Sequence, residues 1–310
     1  MPRLVVVGSL NQDITIRTPR FPRPGETLLA GPCDRYPGGK GANQAVAAAR
    51  LGATVTMLGA VGCDESGAAL GANLEANGVG RRLIQVPHRA TGIAVITVDP
   101  TGENTILVAP GANHELGPDH VAAAADSIAA ADAVLLQLEI PLTTVWAAVE
   151  TAREAGTAVV LNAAPATTLA DELLRRVDCL VVNHAEALEV LDAAPDLDGP
   201  QLLEALHART GGLVVVTYGR DGARAFDGRT HVVQDAFDVR SVDAVSAGDA
   251  FVGALATALA EATPVAQALR FACAAGALAT TRAGAQPSLP RRDEVALLAN
   301  GGGEPQNGPA

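Results

Sequence analysis

The chain contains a single lysine, Lys40; every other residue among its 22 Lys+Arg is arginine. It lies in YPGGKGANQAVAAARLGA, residues 36–53, between Gly38-Gly39 and Gly41, where an alanine-rich segment of helical length begins. Glycines at a helix entry let the backbone approach a ligand, and the free amides there attract anions and oxygens. An ammonium adds a compact charge with three donors, where arginine would present a wide planar fork. That arrangement suits a polyhydroxylated or anionic ligand. A plain helix start carrying a solvated surface lysine accounts for the same residues.

A second glycine-rich stretch, VDAVSAGDAFVGALATALAE (242–261), opens an apolar helix at Ala247, Gly248 and Asp249. As a cap, Asp249 would satisfy free amides and favour the helix dipole, a contribution of about 0.5–2 kcal/mol. Alternatively, the amides of these three residues could meet a transferring phosphoryl group while the carboxylate takes the proton of the attacking hydroxyl. The dipole would weaken Asp249 as a base, which matters less in a loose transition state governed by orientation and charge stabilisation. Asn183-His184-Ala185-Glu186 has the N-x-x-E spacing of a capping box, yet Glu186 could also hold hydrated magnesium near phosphates. Thr217-Tyr218-Gly219-Arg220-Asp221-Gly222 reads as either a tight turn or a nucleotide-contacting loop. Asn11 and Asp13 follow the first apolar run and Glu139 ends LLQL. Polar residues at the carboxyl ends of strands can converge in a ligand crevice, although a turn and an exposed strand end are the simpler reading.

Several chemistries are absent. LVVVG is not followed by G-x-G-x-x-G, GGKGA lacks the Ser/Thr and the earlier glycine of a P-loop, and no H-R-D or D-F-G set occurs. The six histidines and the widely spaced Cys33, Cys63, Cys179 and Cys273 show no metal-ligand rhythm, so the cysteines read as reduced packing residues. A net charge of −12 with scattered arginines argues against nucleic acid or an anionic membrane as a partner.

The elements that must position these residues follow from the apolar pattern. LVVVG, VTMLGAVG, AVLLQLEI, AVVLNAA, CLVVNHAEA and LVVVTYG alternate with alanine- and leucine-rich segments. This predicts an α/β fold with a mainly parallel sheet and helices on both faces. Residues 248–283 read as two helices broken near Pro264. Two regions break the rhythm: 13–36, with ITIRT and ETLLAG between prolines, and 91–111, a hairpin turning at Pro100-Thr101-Gly102. Together they predict a small protruding sheet, usable as a lid or a dimer surface. We expect one domain over 1–300 with a lid from 13–36 and 91–111, and a disordered tail at 301–310. The N-terminus has no secretory pattern, and the 120–140 stretch, interrupted by Asp126 and Asp132, is a poor membrane span, so a cytoplasmic location is expected.

In order along nearly the whole chain stand GSLNQD, PGGKGANQAVAAARLGA, TGIAVITVDPTGEN, QLEIP, NAAPA, NHAEA, VTYGRDGA, VDAVSAGDAF and TRAGAQPSLP. With these motifs the chain resembles the ribokinase-like (phosphofructokinase B-type) family of carbohydrate kinases, and GGKGANQA and GAQPSLP resemble its ribose-phosphorylating members. The resemblance implies ATP-dependent phosphorylation of D-ribose at the 5-hydroxyl. The alternatives are a sibling kinase for deoxyribose, another sugar or a nucleoside, or a non-catalytic sugar-binding regulator. By position it implies that Asn11, Asp13, Gly39, Lys40, Asn43 and Glu139 bind sugar hydroxyls, and that Asp249 is the base beside an anion hole completed by Ala247 and Gly248. Asn183, Thr217, Gly219, Gly222, Gly248 and Cys273 would serve ATP, and Glu186 its Mg2+, through water. Asp243, Val245, Ala279, Arg282, Gly284 and Ser288 would surround an activating K+, largely through backbone oxygens. A homodimer through the lid sheets is also implied. The chain departs from the family pattern at Ala244, where threonine is usual, and at Ser246, where alanine or glycine is common. It departs again at Cys273, where a histidine can lie near the adenine.

Overall fold

Val, Leu and Ile suit strands buried on both faces, and the alanine-rich segments between them supply crossover helices. In a computed structural model, which describes residues 1–101, 103–194 and 196–301, these runs become two sheets. Along the chain the strands are β1 (Arg3–Val7), β2 (Asn11–Arg17), β3 (Cys33–Gly38), β4 (Thr54–Gly62), β5 (Gly80–Val86), β6 (Gly92–Val98), β7 (Asn104–Ala109), β8 (Ala133–Leu136), β9 (Ala158–Asn162), β10 (Cys179–Asn183), β11 (Leu213–Thr217), β12 (Ala223–Phe226) and β13 (His231–Gln234).

The main sheet runs β13-β12-β11-β10-β9-β8-β1-β4-β5. Its neighbours are parallel from β5 to β11 and antiparallel at β11–β12 and β12–β13. Helices cover both faces, as expected. In β1, Leu4 and Val6 enter a core layer shared with the helices Lys40–Arg50, Ala247–Ala260 and Val265–Ala279. Val5 and Val7 enter the opposite layer, shared with Leu142–Ala155 and Gly199–Thr210. The helix pair near the C-terminus breaks at Pro264, which stands at the N-cap of the second helix. No helix among the described residues is long and apolar enough to cross a membrane.

The small sheet runs β3-β2-β6-β7 and stands apart from the main one, as expected. Its two hairpin-like pairs are antiparallel, while β2 and β6 pair in parallel through the centre. ETLLAG is not a strand: Leu29 is 90% exposed, and only its last residue reaches β2, the Gly31 amide donating to the Arg17 carbonyl at 2.7 Å. The ion pair of Arg20 with Glu26 holds that loop, and the regular β2–β3 ladder begins at Cys33, opposite Ile16. The β6–β7 connection turns on Asp99, whose Oδ1 accepts from the amides of Thr101 at 2.8 Å and Glu103 at 3.1 Å. Gly102 of that turn and residues 302–310 of the expected tail lie outside the described residues.

Candidate active site

The carboxyl ends of β1, β8, β9, β10 and β11 face a cavity of about 320 Å³, closed on one side by Ala94, Ile96, Asn104, Ile106 and Val108 of the small sheet. The cavity brings together Asn11, Asp13, Gly39, Lys40, Asn43, Glu139, Asn183, Glu186, Thr217, Gly248 and Asp249. Convergence at the carboxyl edge of a parallel sheet follows from topology, since every crossover loop on that edge opens toward the same side.

The glycines around Lys40 act on protein backbone. Gly39 has φ 88°, and a Cβ there would lie 2.7 Å from the Asn11 amide nitrogen; one on Gly41 would lie 2.6 Å from that of Ser9. Their absence lets the helix Lys40–Arg50 press its first turn onto the β1–β2 connection, where the Ala42 amide donates to the Ser9 carbonyl at 2.9 Å. Glu139 ties this corner together. Its Oε2 accepts from Ser9 Oγ at 2.5 Å, the Lys40 amide at 3.1 Å and Asn11 Nδ2 at 3.3 Å. β8 ends at Leu136, so Glu139 stands three residues beyond the strand that was expected to carry it, on a loop free to reach across. Asn113 braces Asn11 from behind, donating to its Oδ1 at 2.8 Å and accepting from the Leu10 amide at 2.9 Å.

Asp249 does not cap its own helix. Ser246 occupies the N-cap position at φ 60° without a side-chain cap, and the Asp249 carboxylate is held instead from the neighbouring helix. Asn43 Nδ2 donates to its Oδ2 at 2.9 Å, and Gln44 Nε2 to its Oδ1 at 3.0 Å. The two helices come this close because of Gly253, one turn on: a Cβ there would lie 2.7 Å from the Ala47 Cβ and 2.9 Å from the Gln44 carbonyl oxygen. Of the three amides expected to form an anion hole, that of Ala247 donates to the Ala244 carbonyl at 3.3 Å. The amides of Gly248 and Asp249 have no acceptor among the described residues, which leaves them available to an anion.

Four carboxyl groups, those of Asp13, Glu139, Glu186 and Asp249, share this cavity with one ammonium. Burial pushes the Asp13 carboxyl up to about 7, reinforced by the charges of Glu139 and Asp249 and opposed by Lys40. Burial also raises Asp249, against Lys40, Asn43 and Gln44, and raises Glu186. For Lys40 burial acts downward, but Asp249, Glu139, Glu186 and Asp13 together hold the ammonium above its ordinary value. A surface lysine is therefore not what Lys40 is: it is the charged centre of an acidic pocket.

Asn183 and Glu186 form the capping box, with the Glu186 amide donating to Asn183 Oδ1 and the Asn183 amide to Glu186 Oε2, each at 2.8 Å. Both residues also line the cavity, so capping leaves Glu186 Oε1 for other use. Residues 217–222 make a tight turn, in which the Tyr218 amide donates to the Gly222 carbonyl at 2.8 Å. Thr217 reaches the cavity, whereas Gly219, Gly222 and Cys273 do not line it. Cys273 is buried in the helix Val265–Ala279, with its thiol pushed up to about 12 by burial.

Asp243, Val245 and Gly284 line a smaller cleft beside the main one. The Asp243 carboxylate accepts from the amides of Val245 and Gly284, both at 3.0 Å, so a cation there would be held by carbonyl oxygens. Ala279 is buried at the helix end, Arg282 pairs with Glu294, and the Ser288 hydroxyl donates to the Ala285 carbonyl at 2.7 Å. Among the described residues no cluster of three or more His, Cys, Asp or Glu side chains could hold a metal ion.

Ser9, Gln44, Asn113, Gln137 and Asn162 escape notice in the sequence, yet all five are buried and bonded to the site or to each other. The available signal was a polar residue inside an otherwise apolar run, as in GSL, ANQAVAAA, LLQL and VVLN.

The chain is similar to known carbohydrate kinases. The model of the pfkB family carbohydrate kinases matches residues 1–292. The ribokinase of Haemophilus influenzae is 39% identical over 296 residues, covering 94% of this chain and 96% of its own length. The deoxyribokinase of Salmonella typhi is 36% identical over 292 residues, covering 93% and 95%. The solved structure of Arabidopsis thaliana ribokinase complexed with ribose and ATP aligns with a TM-score of 0.87 at 32% identity, covering 96% of this chain and 98% of that one. Family model, relatives and fold all span nearly the whole length, and the chain belongs to the pfkB family of carbohydrate kinases.

Proposed function

We propose that this protein transfers the terminal phosphoryl group of ATP to the 5-hydroxyl of D-ribose, giving ribose 5-phosphate and ADP. The observation that carries this reading is the Asp249 carboxylate, buried at the cavity wall beside two unbonded helix amides. Asp249 accepts the hydroxyl proton as the oxygen attacks phosphorus and the bond to the ADP oxygen breaks. The Gly248 and Asp249 amides receive the charge on the transferring group. Asn11, Asp13, Gly39, Lys40, Asn43 and Glu139 hold the sugar hydroxyls, with Lys40 as the cationic donor.

ATP extends past Asn183 and Thr217, with Gly219, Gly222 and Cys273 on its outer side. An acidic pocket with one ammonium cannot neutralise a triphosphate by itself, which favours Mg2+ held through water near Glu186; when bound, the ion neutralises phosphate charge. Oxygen donors around Asp243, Val245, Ala279, Arg282, Gly284 and Ser288 suit K+. The small sheet excludes water that would otherwise hydrolyse ATP. Its edge strand β7, with Leu107 at 76% exposure, supports a homodimer through the lid.

The nearest rival is deoxyribose, given a deoxyribokinase among the relatives. Coupled ADP formation with Mg-ATP and ribose, 2-deoxyribose, fructose, adenosine or pseudouridine, with and without K+, separates the readings. A site built on hydroxyl hydrogen bonds strongly penalises a substrate that lacks one. Ribose preference enhanced by K+ is expected. Preference for another substrate overturns the sugar assignment, and ribose binding without turnover points to a regulator.

A further inference from the structure

Behind Asp249 lies a chain of buried amide side chains. Gln44 and Gln137 are both fully buried, and Asn162 is 7% exposed. Gln44 Nε2 donates to Asp249 Oδ1 at 3.0 Å and to Asn162 Oδ1 at 2.9 Å. Gln44 Oε1 accepts from Gln137 Nε2 at 2.6 Å, and Asn162 Nδ2 donates to the Val181 carbonyl at 3.1 Å.

A carboxamide has two ends of nearly equal shape but opposite hydrogen-bonding sense, while an ionised carboxylate only accepts. To serve Asp249, the nitrogen end of Gln44 must face it. Two neighbours enforce that sense. The Val181 carbonyl fixes the nitrogen end of Asn162, which turns its oxygen toward Gln44, and Gln137 presents a donor to the oxygen end of Gln44. The far end of this chain is left unsatisfied: Gln137 Oε1 is buried without a partner. It occupies space that exists because residue 8 is glycine, where a Cβ would lie 2.0 Å from that oxygen. An apolar side chain in place of Gln137 would remove this orphaned acceptor but strip the buried Gln44 Oε1 of its donor, so the glutamine answers to Gln44 rather than to packing.

We propose that Gln44 is a positioning residue for Asp249, and that Gln137 sets the direction in which Gln44 faces. This rests on the reading of Asp249 as the base. Unlike Asn43, neither glutamine lines the cavity, so their effect should fall on turnover rather than on sugar binding.

The experiment compares Gln44→Met, Gln137→Met and the double variant with the wild-type enzyme in steady-state kinetics, sugar binding by calorimetry and thermal unfolding. Displacing a catalytic group by a fraction of an ångström lowers turnover by about ten- to a hundredfold. That loss in kcat is expected for Gln44→Met, with the sugar KM and Kd within about twofold of wild type, as for an effect on positioning alone. Gln137→Met should lower kcat less, and should add nothing in the Gln44→Met background. Unchanged kcat in folded variants, additive losses, or a loss confined to KM would overturn the proposal.

A second readout needs no turnover. The side-chain amide proton signals of Gln44 and Gln137, assigned from the Met variants, are followed by NMR on replacing Asp249 with alanine. Movement of the Gln137 signals, although Gln137 does not touch Asp249, supports the chain, and unmoved Gln137 signals refute it even if no sugar is phosphorylated. A wild-type protein with no sugar-dependent ADP formation but coupled amide signals would instead count against the kinase reading alone.

Discussion

Asp249 and Asp13 are both buried carboxyl groups in the same cavity, but they are held differently. Burial raises both, but Asp249 receives two side-chain amides, which with the Lys40 charge oppose that push. Asp249→Asn keeps the shape and loses the proton acceptor; kcat should fall by about 10²–10⁴-fold with sugar affinity retained in calorimetry. Near-normal turnover would remove Asp249 from the mechanism. Asp13 has no such support, and its carboxyl is pushed up to about 7 from an ordinary 3.8. Because the folded state holds the proton more tightly than the unfolded chain, the stability it confers is present below pH 3.8 and is lost as pH rises to about 7. Asp13→Asn should therefore stabilise the ligand-free protein increasingly across that window and then level off, by at most about 4 kcal/mol above it. Thermal melts of both proteins at about pH 5 and pH 8 test the sign; a gain larger at the lower pH would contradict it. The same variant should bind sugar more weakly, since the charged acceptor would be gone.

The helices Lys40–Arg50 and Ala247–Ala260 position the proposed catalytic and sugar-binding groups as a pair. One brings Lys40, Asn43 and Gln44, the other Gly248 and Asp249, and Gly253 sets the distance between them. Gly253→Ala would gain about 1 kcal/mol of helix propensity but force a methyl against Ala47 and the Gln44 carbonyl, at an overpacking cost of about 1–3 kcal/mol. A lowered melting temperature together with a lowered kcat is expected. Unchanged kinetics would show that the helix spacing tolerates the methyl. Nothing in the local sequence singles out this glycine from those of ordinary helix interiors; the demand comes from another helix.

Two sheets of unequal size meet across the cavity, and the smaller one has little core of its own. Its β7 edge exposes Ile106 at 52%, Leu107 at 76% and Val108 at 46%, an apolar edge strand of the kind that pairs or aggregates when left open. Since Ile106 and Val108 also line the cavity, a partner lid covering this edge would help close the site. Leu107→Glu should convert a dimer to monomers in sedimentation and raise the sugar KM. A wild-type protein that sediments as a monomer would contradict the lid dimer.

Much of this was legible before any fold was known, because its causes are local. Alternation of apolar runs with alanine-rich segments dictates strands and helices, and motifs at strand ends point to a common edge because parallel crossovers leave no other. The N-x-x-E box is likewise a short-range hydrogen-bonding rule, whereas the glycines flanking Lys40 make room for the distant backbone of Ser9 and Asn11. What remained hidden were contacts made across the chain. Gln44 meets Asp249 over 205 positions and Asn162 over 118, and Gln137 meets Gln44 over 93. An amide on an apolar element carries no mark of its partner, because its donor and acceptor acquire direction only when packing buries them beside a charge.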